Sequence, residues 1–505
     1  MYHAKEIRWL IFLPSLLVLA ALVVTYLWEP APLSGNGEVC LGLPVVSPSD
    51  IHEADACTKN YAGYFLFNGE KAAADIDSRT LYLPQQILES TTREALTGQL
   101  SISVSNCRLY FLEDPAFDNL AEAVAQGHPF PLAATHGTHC HLYNVIFTTL
   151  PVLRMDHVSK QAQENGFPLF SGKMYLWEPG HEEPISSDLL FKARGNTVLY
   201  MSKQSWKLSL KTNRMKNNHL SLAGLGTDDD WILNSMSMDD TKLKDMFFSQ
   251  VWNSIAQDSA WDYPTASCRY VEVVLDGSYY GVYLLQRRVD QKYLDLSDDD
   301  ILIKGTGLWT TSVPQESYEI KYSPLPDAET LALMEGVYDL SDVSMLNIDN
   351  FLDVNLLLQL GPLADNTGYK NMYYCLRKEA SGYRLSMIPW DTDMSLGVIY
   401  SNGFVYDYDA SLRMTVLRRE YSQMSALYPD LEERMGARWR QLRQSVLATD
   451  NLIRQLESQI QVLSQSGAYA RDGQRWEPYH GGMDTQESAL RFVRERLALL
   501  DDRYR

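Results

Sequence analysis

The chain has 505 residues, with 44 Lys and Arg against 64 Asp and Glu, a net charge of −20. That balance excludes a general nucleic-acid binder, which needs a basic footprint on phosphate. With 45% hydrophobic and 11% aromatic residues it is not a disordered chain, and its length allows about three domains and a core that needs no disulfides.

Residues 1–8 precede an uncharged apolar run, Trp9–Trp28. About 20 such residues span a bilayer as a helix, and Trp9, Tyr26 and Trp28 suit its two interfaces. Lys5 and Arg8 lie before the run, and no Lys or Arg follows until Lys59. The positive-inside rule puts residues 1–8 in the cytoplasm and the main part of the chain outside the cell membrane. A cleaved signal peptide is the rival reading, but the run is long for one and no small-x-small site directly follows it.

Residues 29–50 carry Pro, Gly and Ser and read as a linker. Residues 51–149 read as a small β-rich domain. YFLFNGEKAAADIDSRTLYLP predicts two strands around the Asn68-Gly69 turn, and LSISVSNCRLYFLED predicts another strand pair. Of six cysteines, proximity suggests Cys40–Cys57 and Cys107–Cys140 as disulfides. Cys268 and Cys375, in apolar strand-like runs, also read as buried thiols.

Residues 150–505 change pattern. DLLFKARGN and SWKLSLK predict strands. Asp239 to Gln257 has apolar residues at helical spacing behind an Asp cap. RYVEVVLDGSYYGVYLLQR predicts a hairpin turning at Asp276-Gly277. Ile348 to Leu363 predicts a helix, NMYYCLR and YRLSMIPW two strands, and Pro429 to Arg505 a helical end.

The candidate chemistry lies late in this block. Asp365 ends an apolar helix, Asn371 opens a strand, and Asp391 and Asp393 follow a second strand. A phosphotransferase arranges its parts in this order: one Asp orients the nucleophile, while an Asn and another Asp hold Mg²⁺ through hard oxygen ligands. The plain alternative is that these acidic residues cap turns.

Several blocks in order resemble the CotH kinase family, the spore-coat-protein-H-like proteins. They are DLLFKARGNTVLYMSKQSWKLSLK, GLGTDDDWILNSMSMDDTKLKDMFFSQVW, RYVEVVLDGSYYGVYLLQRRV, ADNTGYKNMYYCLR, MIPWDTDMSLG and RFVRERLALLD. The resemblance runs from about Leu150 to Leu500. It implies an α+β fold with an atypical protein-kinase-like domain, here following a single transmembrane helix and the β-rich domain. It implies phosphoryl transfer from ATP, with Mg²⁺ or Mn²⁺, to Ser or Thr of a protein substrate; an acidic chain suits a basic, Ser-rich one. Carried over by position, Asp365 is the catalytic Asp and Asp391 or Asp393 the metal ligand. Asn371 is a second ligand, with Asn366 its rival. Lys203 and Lys207 are the candidate phosphate lysines, each with a solvated surface charge as its plain alternative. Arg194 is a phosphate ligand or a structural Arg. Leu285 to Arg288, centred on Gln286, is the adenine edge.

The chain departs from the family pattern in three places. Thr197 and Val198 stand where Ser and Trp are usual. Lys203-Gln204 replaces a Lys pair. The Asp239–Gln257 helix holds no Glu to pair with a nucleotide lysine. A kinase-like scaffold without activity and a nucleotidyltransferase transferring AMP are the two rival functions. His136, His139, Cys140 and His141 do not form a zinc pattern, because strand geometry splits them between two faces. Asp228–Asp230 and Asp298–Asp300 lack EF-hand spacing and read as solvated turns. No G-x-S-x-G or HExxH motif supports hydrolase chemistry.

Overall fold

The computed structural model describes residues 32–33, 35–51, 63–114, 119–136, 139–164, 167–195, 201–261, 263–306, 318–338, 343–366, 370–400, 404–406 and 418–505. The Trp9–Trp28 run and Cys57 lie outside these residues. Among the described residues, no helix is long and apolar enough to cross a membrane.

The first unit is β-rich. Strands β1 (Val39–Cys40), β2 (Leu43–Val46), β3 (Phe65–Phe67), β4 (Glu70–Lys71), β5 (Ala73–Asp75), β6 (Thr80–Pro84), β7 (Leu100–Ile102), β8 (Arg108–Leu112), β9 (Phe130–His136) and β10 (His139–Thr148) surround the short helix α1 (Leu120–Ala125). Seven form one sheet in the order β1-β2-β8-β9-β10-β6-β5, and β4-β3-β7 form another. Two expectations change here. Part of the expected linker is sheet: the apolar run Leu43–Val46 pairs with β8, and Val45 and Val46 are buried. The predicted pair within LSISVSNCRLYFLED is divided, because β7 pairs with β3 while β8 pairs with β2 and β9. Alternation marks strands but not their partners. Asn68 and Gly69, at φ +50° and +85°, turn as predicted. Cys107 and Cys140 are free thiols, not a disulfide; Cys268 and Cys375 are buried thiols pushed up to about 12 by burial.

The next seven long strands close a barrel: β11 (Val152–Glu164), β12 (Phe167–Trp177), β13 (Ile185–Arg194), β14 (Ser205–Lys211), β17 (Asp230–Asn234), β18 (Cys268–Leu275) and β19 (Ser278–Arg287). β15 (Leu220–Ser221) and β16 (Thr227–Asp228) form a side ladder. The barrel order is β11-β12-β13-β14-β17-β19-β18, closed by the parallel register of Val152–Met155 on Glu272–Leu275. Closure removes both sheet edges. Met155, Met174, Leu176, Phe191, Leu208, Trp231, Val273 and Leu285 fill the interior. The β18–β19 hairpin turns at Asp276 (φ +51°) and Gly277 (φ +74°), as the Asp-Gly pair predicts.

Outward-facing residues of β17 (Ile232), β18 (Cys268, Tyr270) and β19 (Val282, Leu284) share the main core with helix α2 (Lys244–Gln257), which contributes Phe247, Phe248, Trp252 and Ile255. α2 starts five residues after the predicted cap. Asp239 still caps the approach, accepting the Lys244 N–H at 2.9 Å and the Thr241 N–H at 3.0 Å. Beyond lie β20 (Ile301–Thr306) and β21 (Tyr318–Tyr322), α3 (Asp327–Tyr338), α4 (Ile348–Leu360), then β22 (Lys370–Glu379) and β23 (Gly382–Pro389). They form the sheet β21-β20-β22-β23, with α4, buried from Asn350 to Leu360, behind it. α5 (Arg418–Leu427), α6 (Leu431–Arg443), α7 (Thr449–Gln465), α8 (Ala468–Arg475) and α9 (Gln486–Arg503) close the molecule.

α8 clamps the barrel to the helical half with buried charge. Arg471 pairs with the fully buried Glu272 at 2.7 Å. Asp472 pairs with Lys203 at 2.5 Å and Lys242 at 3.5 Å, and accepts the Val282 N–H at 2.8 Å.

Candidate functional site

The site forms where the β22–β23 hairpin opens under the outward face of the barrel. A short 3₁₀ turn, Ala364–Asn366, follows α4 and sets Asp365 beside the start of β22. Asn366 is buried, and its amide donates to the carbonyls of Asn371 and Trp390, both at 2.8 Å. Trp390 donates its N–H to the same Asn371 carbonyl at 3.0 Å. These bonds pull the turn, the entry to β22 and the exit from β23 into one mouth. Asn371 (φ +54°) and Asp391 (φ +58°) both sit in the left-handed region. Short Asn and Asp side chains tolerate it better than others, and functional sites retain such strain.

Asp365 Oδ2 accepts from Lys370 Nζ at 2.6 Å and Asn371 Nδ2 at 2.9 Å. Asp391 is exposed and Asp393 part-buried. Enclosure of its carboxyl group, then the charges of Asp391, Asp245 and Asp365, push Asp393 well above the usual carboxylate range against the pull of Lys244. Burial, then Asp391, push Asp245 up to about 6. A concentration of carboxylates that raise one another's affinity for protons is a site that a cation would relieve. Their oxygens do not converge into a closed chelate; the one cluster within 4.8 Å among the described residues is His219, Asp228 and Asp229. Mg²⁺ does not need a closed chelate, since it keeps waters and takes one or two carboxylates plus phosphate oxygens. At the other cluster Lys292 Nζ already lies 2.8 Å from Asp228 and 2.6 Å from Asp229, the place a cation would take. Asp228 and Asp229 are therefore buried ion-pair partners and not a solvated turn.

The remaining sequence candidates divide. Arg194, at the end of β13, lies 5.7 Å from the Trp390 ring and lines the cleft with Gln286, Asp391 and Asp393. Gln286 is 5% exposed, and its Oε1 has no hydrogen-bond partner among the described residues. Lys207 stands on the same outward face: it pairs with Ile232, and Ile232 with Gln286. Lys203 is not brought to the cleft. It is 3% exposed, its ammonium held by Asp472 and, at 2.7 Å, by the Val282 carbonyl. Its match by position to the family's basic pair is what suggested a phosphate contact; in the fold its ammonium is taken by a partner 269 positions away. The His136–His141 tract does not converge either, since β10 leaves His139 exposed and His141 buried.

Three residues at the site escape the sequence reading. Asp245, in the first turn of α2, accepts the Thr392 N–H at 2.7 Å and the Asn234 amide at 2.7 Å, joining the Asp391–Asp393 loop to α2 and to the barrel. Lys304 on β20 lies 6.0 Å from the Trp390 ring and 5.8 Å from that of Tyr373, opposite Arg194. Burial, then Arg194, push its ammonium down to about 8 against the pull of Asp391. A lone charge in the apolar strand Ile301-Leu302-Ile303-Lys304 was the available signal. Lys370, next to Asn371, is the third.

A family profile describing the CotH kinase protein matches residues 191–500. No functionally curated protein matches the chain. The profile covers more than half of the sequence and contains every element of the mouth, so the chain belongs to the CotH kinase family.

Proposed function

We propose that this chain is an atypical, protein-kinase-like phosphotransferase that moves the γ-phosphoryl group of ATP to Ser or Thr of a protein substrate. Trp9–Trp28 would anchor it, with the barrel and helical half outside the membrane. The observation that best supports this is the mouth itself: Asp365, Asn371, Asp391 and Asp393 gather beneath Arg194 and Lys304. Bound ATP with Mg²⁺ or Mn²⁺ would supply the phosphoryl group and the counter-charge that these carboxylates lack. Asp391 and Asp393, with Asn371 or the unpartnered Oδ1 of Asn366, are the oxygen ligands for the cation.

In this reading Asp365 orients the substrate hydroxyl and takes its proton. Lys370 and Asn371 both hold Oδ2, which leaves Oδ1 for that hydroxyl. Arg194 and Lys304 replace Lys203 as the phosphate cations, and the Oε1 of Gln286 suits a base amine. Catalysis is then positioning and charge neutralisation. The acidic exterior favours a basic, Ser-rich substrate and disfavours nucleic acid.

One observation favours the inactive-scaffold reading: the space between the described cleft walls is about 60 Å³, far below a nucleotide-sized site. Catalysis therefore requires the walls of this cleft to part locally when ATP enters. Transfer of ³²P from γ-labelled ATP with Mg²⁺ or Mn²⁺ to a Ser-rich basic peptide tests the assignment. Equal label with Asp365→Ala would refute it. Label from α-labelled ATP would indicate AMP transfer. No nucleotide-dependent melting shift would leave the scaffold.

A further inference from the structure

A cavity of about 1070 Å³ lies not at the acidic mouth but on another face of α2, between α2, α7 and the start of β18. α2 divides the two. Asp245, Phe248 and Trp252 face the mouth; Gln250 and Asn253 face the cavity. We propose that this groove binds an extended peptide segment carrying acidic side chains.

Its lining is amide-rich, and two of those amides are incomplete. Gln459 on α7 is 3% exposed; its Nε2 donates to Gln250 Oε1 at 2.9 Å, and its Oε1 has no partner among the described residues. Gln455, one turn earlier, has an unpartnered buried Oε1 as well. A buried polar atom left unpaired costs more than an exposed one, so the site is short of hydrogen-bond partners that a ligand can supply. Turning both amides over exchanges oxygen for nitrogen and leaves a donor unpaired in place of an acceptor. A peptide unit satisfies either state, because each carries one donor and one acceptor.

Charge selects among peptides. Arg269 and Arg454 line the groove, both exposed, and neither has an ion pair among the described residues; Arg269 donates only to the Cys268 carbonyl, at 3.0 Å. The carboxylate on the lining, Glu178, accepts the Ala223 N–H at 2.8 Å. In a chain of net charge −20, two unpaired guanidiniums over an amide floor favour carboxylates. The volume lies at the top of the range usual for small-molecule sites, which leaves room for an extended segment. A saccharide is disfavoured because the described residues offer no aromatic face: Tyr270 lines the groove but is buried, its hydroxyl donating to the Lys242 carbonyl at 2.6 Å.

The test is retention of the purified full chain on arrays of ten-residue peptides built from Gly, Ser and Asn with Asp, with Lys, or with neither. The acidic set should be retained. Arg454→Glu, an exposed change that leaves folding intact, should weaken binding at least tenfold, as should Gln459→Leu. Asp365→Asn and added ATP with Mg²⁺ should leave it unchanged. The proposal is overturned if no set is retained, if the Lys set binds equally, if Arg454→Glu has no effect, if ATP with Mg²⁺ displaces the peptide, or if an oligosaccharide array is retained instead.

Discussion

Replacing Asp472 by Ala should unfold the clamp between α8 and the barrel. Asp472 is 2% exposed and is the shared counter-ion of Lys203 at 2.5 Å and Lys242 at 3.5 Å, both buried. At an effective dielectric constant of about 20 these separations correspond to roughly 7 and 5 kcal/mol of gross Coulomb attraction. Desolvation of three buried charges offsets most of it, so the net cost of leaving the ammoniums unpaired is about 3–5 kcal/mol. The Val282 N–H loses its acceptor too. Differential scanning calorimetry should show Tm falling by about 5 °C. The double change Lys203→Met with Asp472→Leu should recover much of that loss, because an apolar pair of similar volume avoids the desolvation cost. Lys242 keeps the Met236 carbonyl at 3.0 Å. The double variant should also transfer phosphate, since Lys203 is structural. An Asp472→Ala variant within 1 kcal/mol of the parent would refute the clamp, and a stable double variant without transfer would restore Lys203 as a phosphate contact.

Gly281→Ala strikes the same place: φ is +86° and an added Cβ would overlap Asp472 Oδ1, so urea denaturation should show a loss of more than about 2 kcal/mol. Asp365→Asn should lower phosphotransfer by about 10²–10⁴-fold with little change in Tm, because its side chain is part-exposed. Asp245 is raised to about 6 in the fold, so the stability it contributes is present below its unfolded value near 4 and lost as pH rises through about 6. Mn²⁺ should therefore raise Tm more at pH 7.5 than at pH 5 in a thermal-shift assay, and Asp393→Asn should reduce the shift. Arg471→Ala leaves Glu272 buried beside Tyr279 without its cation and should cost about 3–5 kcal/mol by chemical denaturation.

The sequence by itself determined the local elements and the order of the candidate site residues. Alternation and the Asp-Gly turn are short-range properties, so the β18–β19 hairpin, the β22–β23 hairpin and α4 could be read directly. The order Asp365, Asn371, Asp391 was legible for the same reason: those residues lie on consecutive elements. The tertiary structure alone decided what lies opposite them. Barrel closure pairs Val152 with Glu272, and burial joins Lys203 to Asp472, across 120 and 269 positions. Side-chain type and spacing carry no record of such partners. That is why Lys203 looked like a nucleotide ligand and proved a buried ion-pair partner, while Lys304 and Asp245 were recognised only once α2, β20 and the barrel wall were brought to the same mouth.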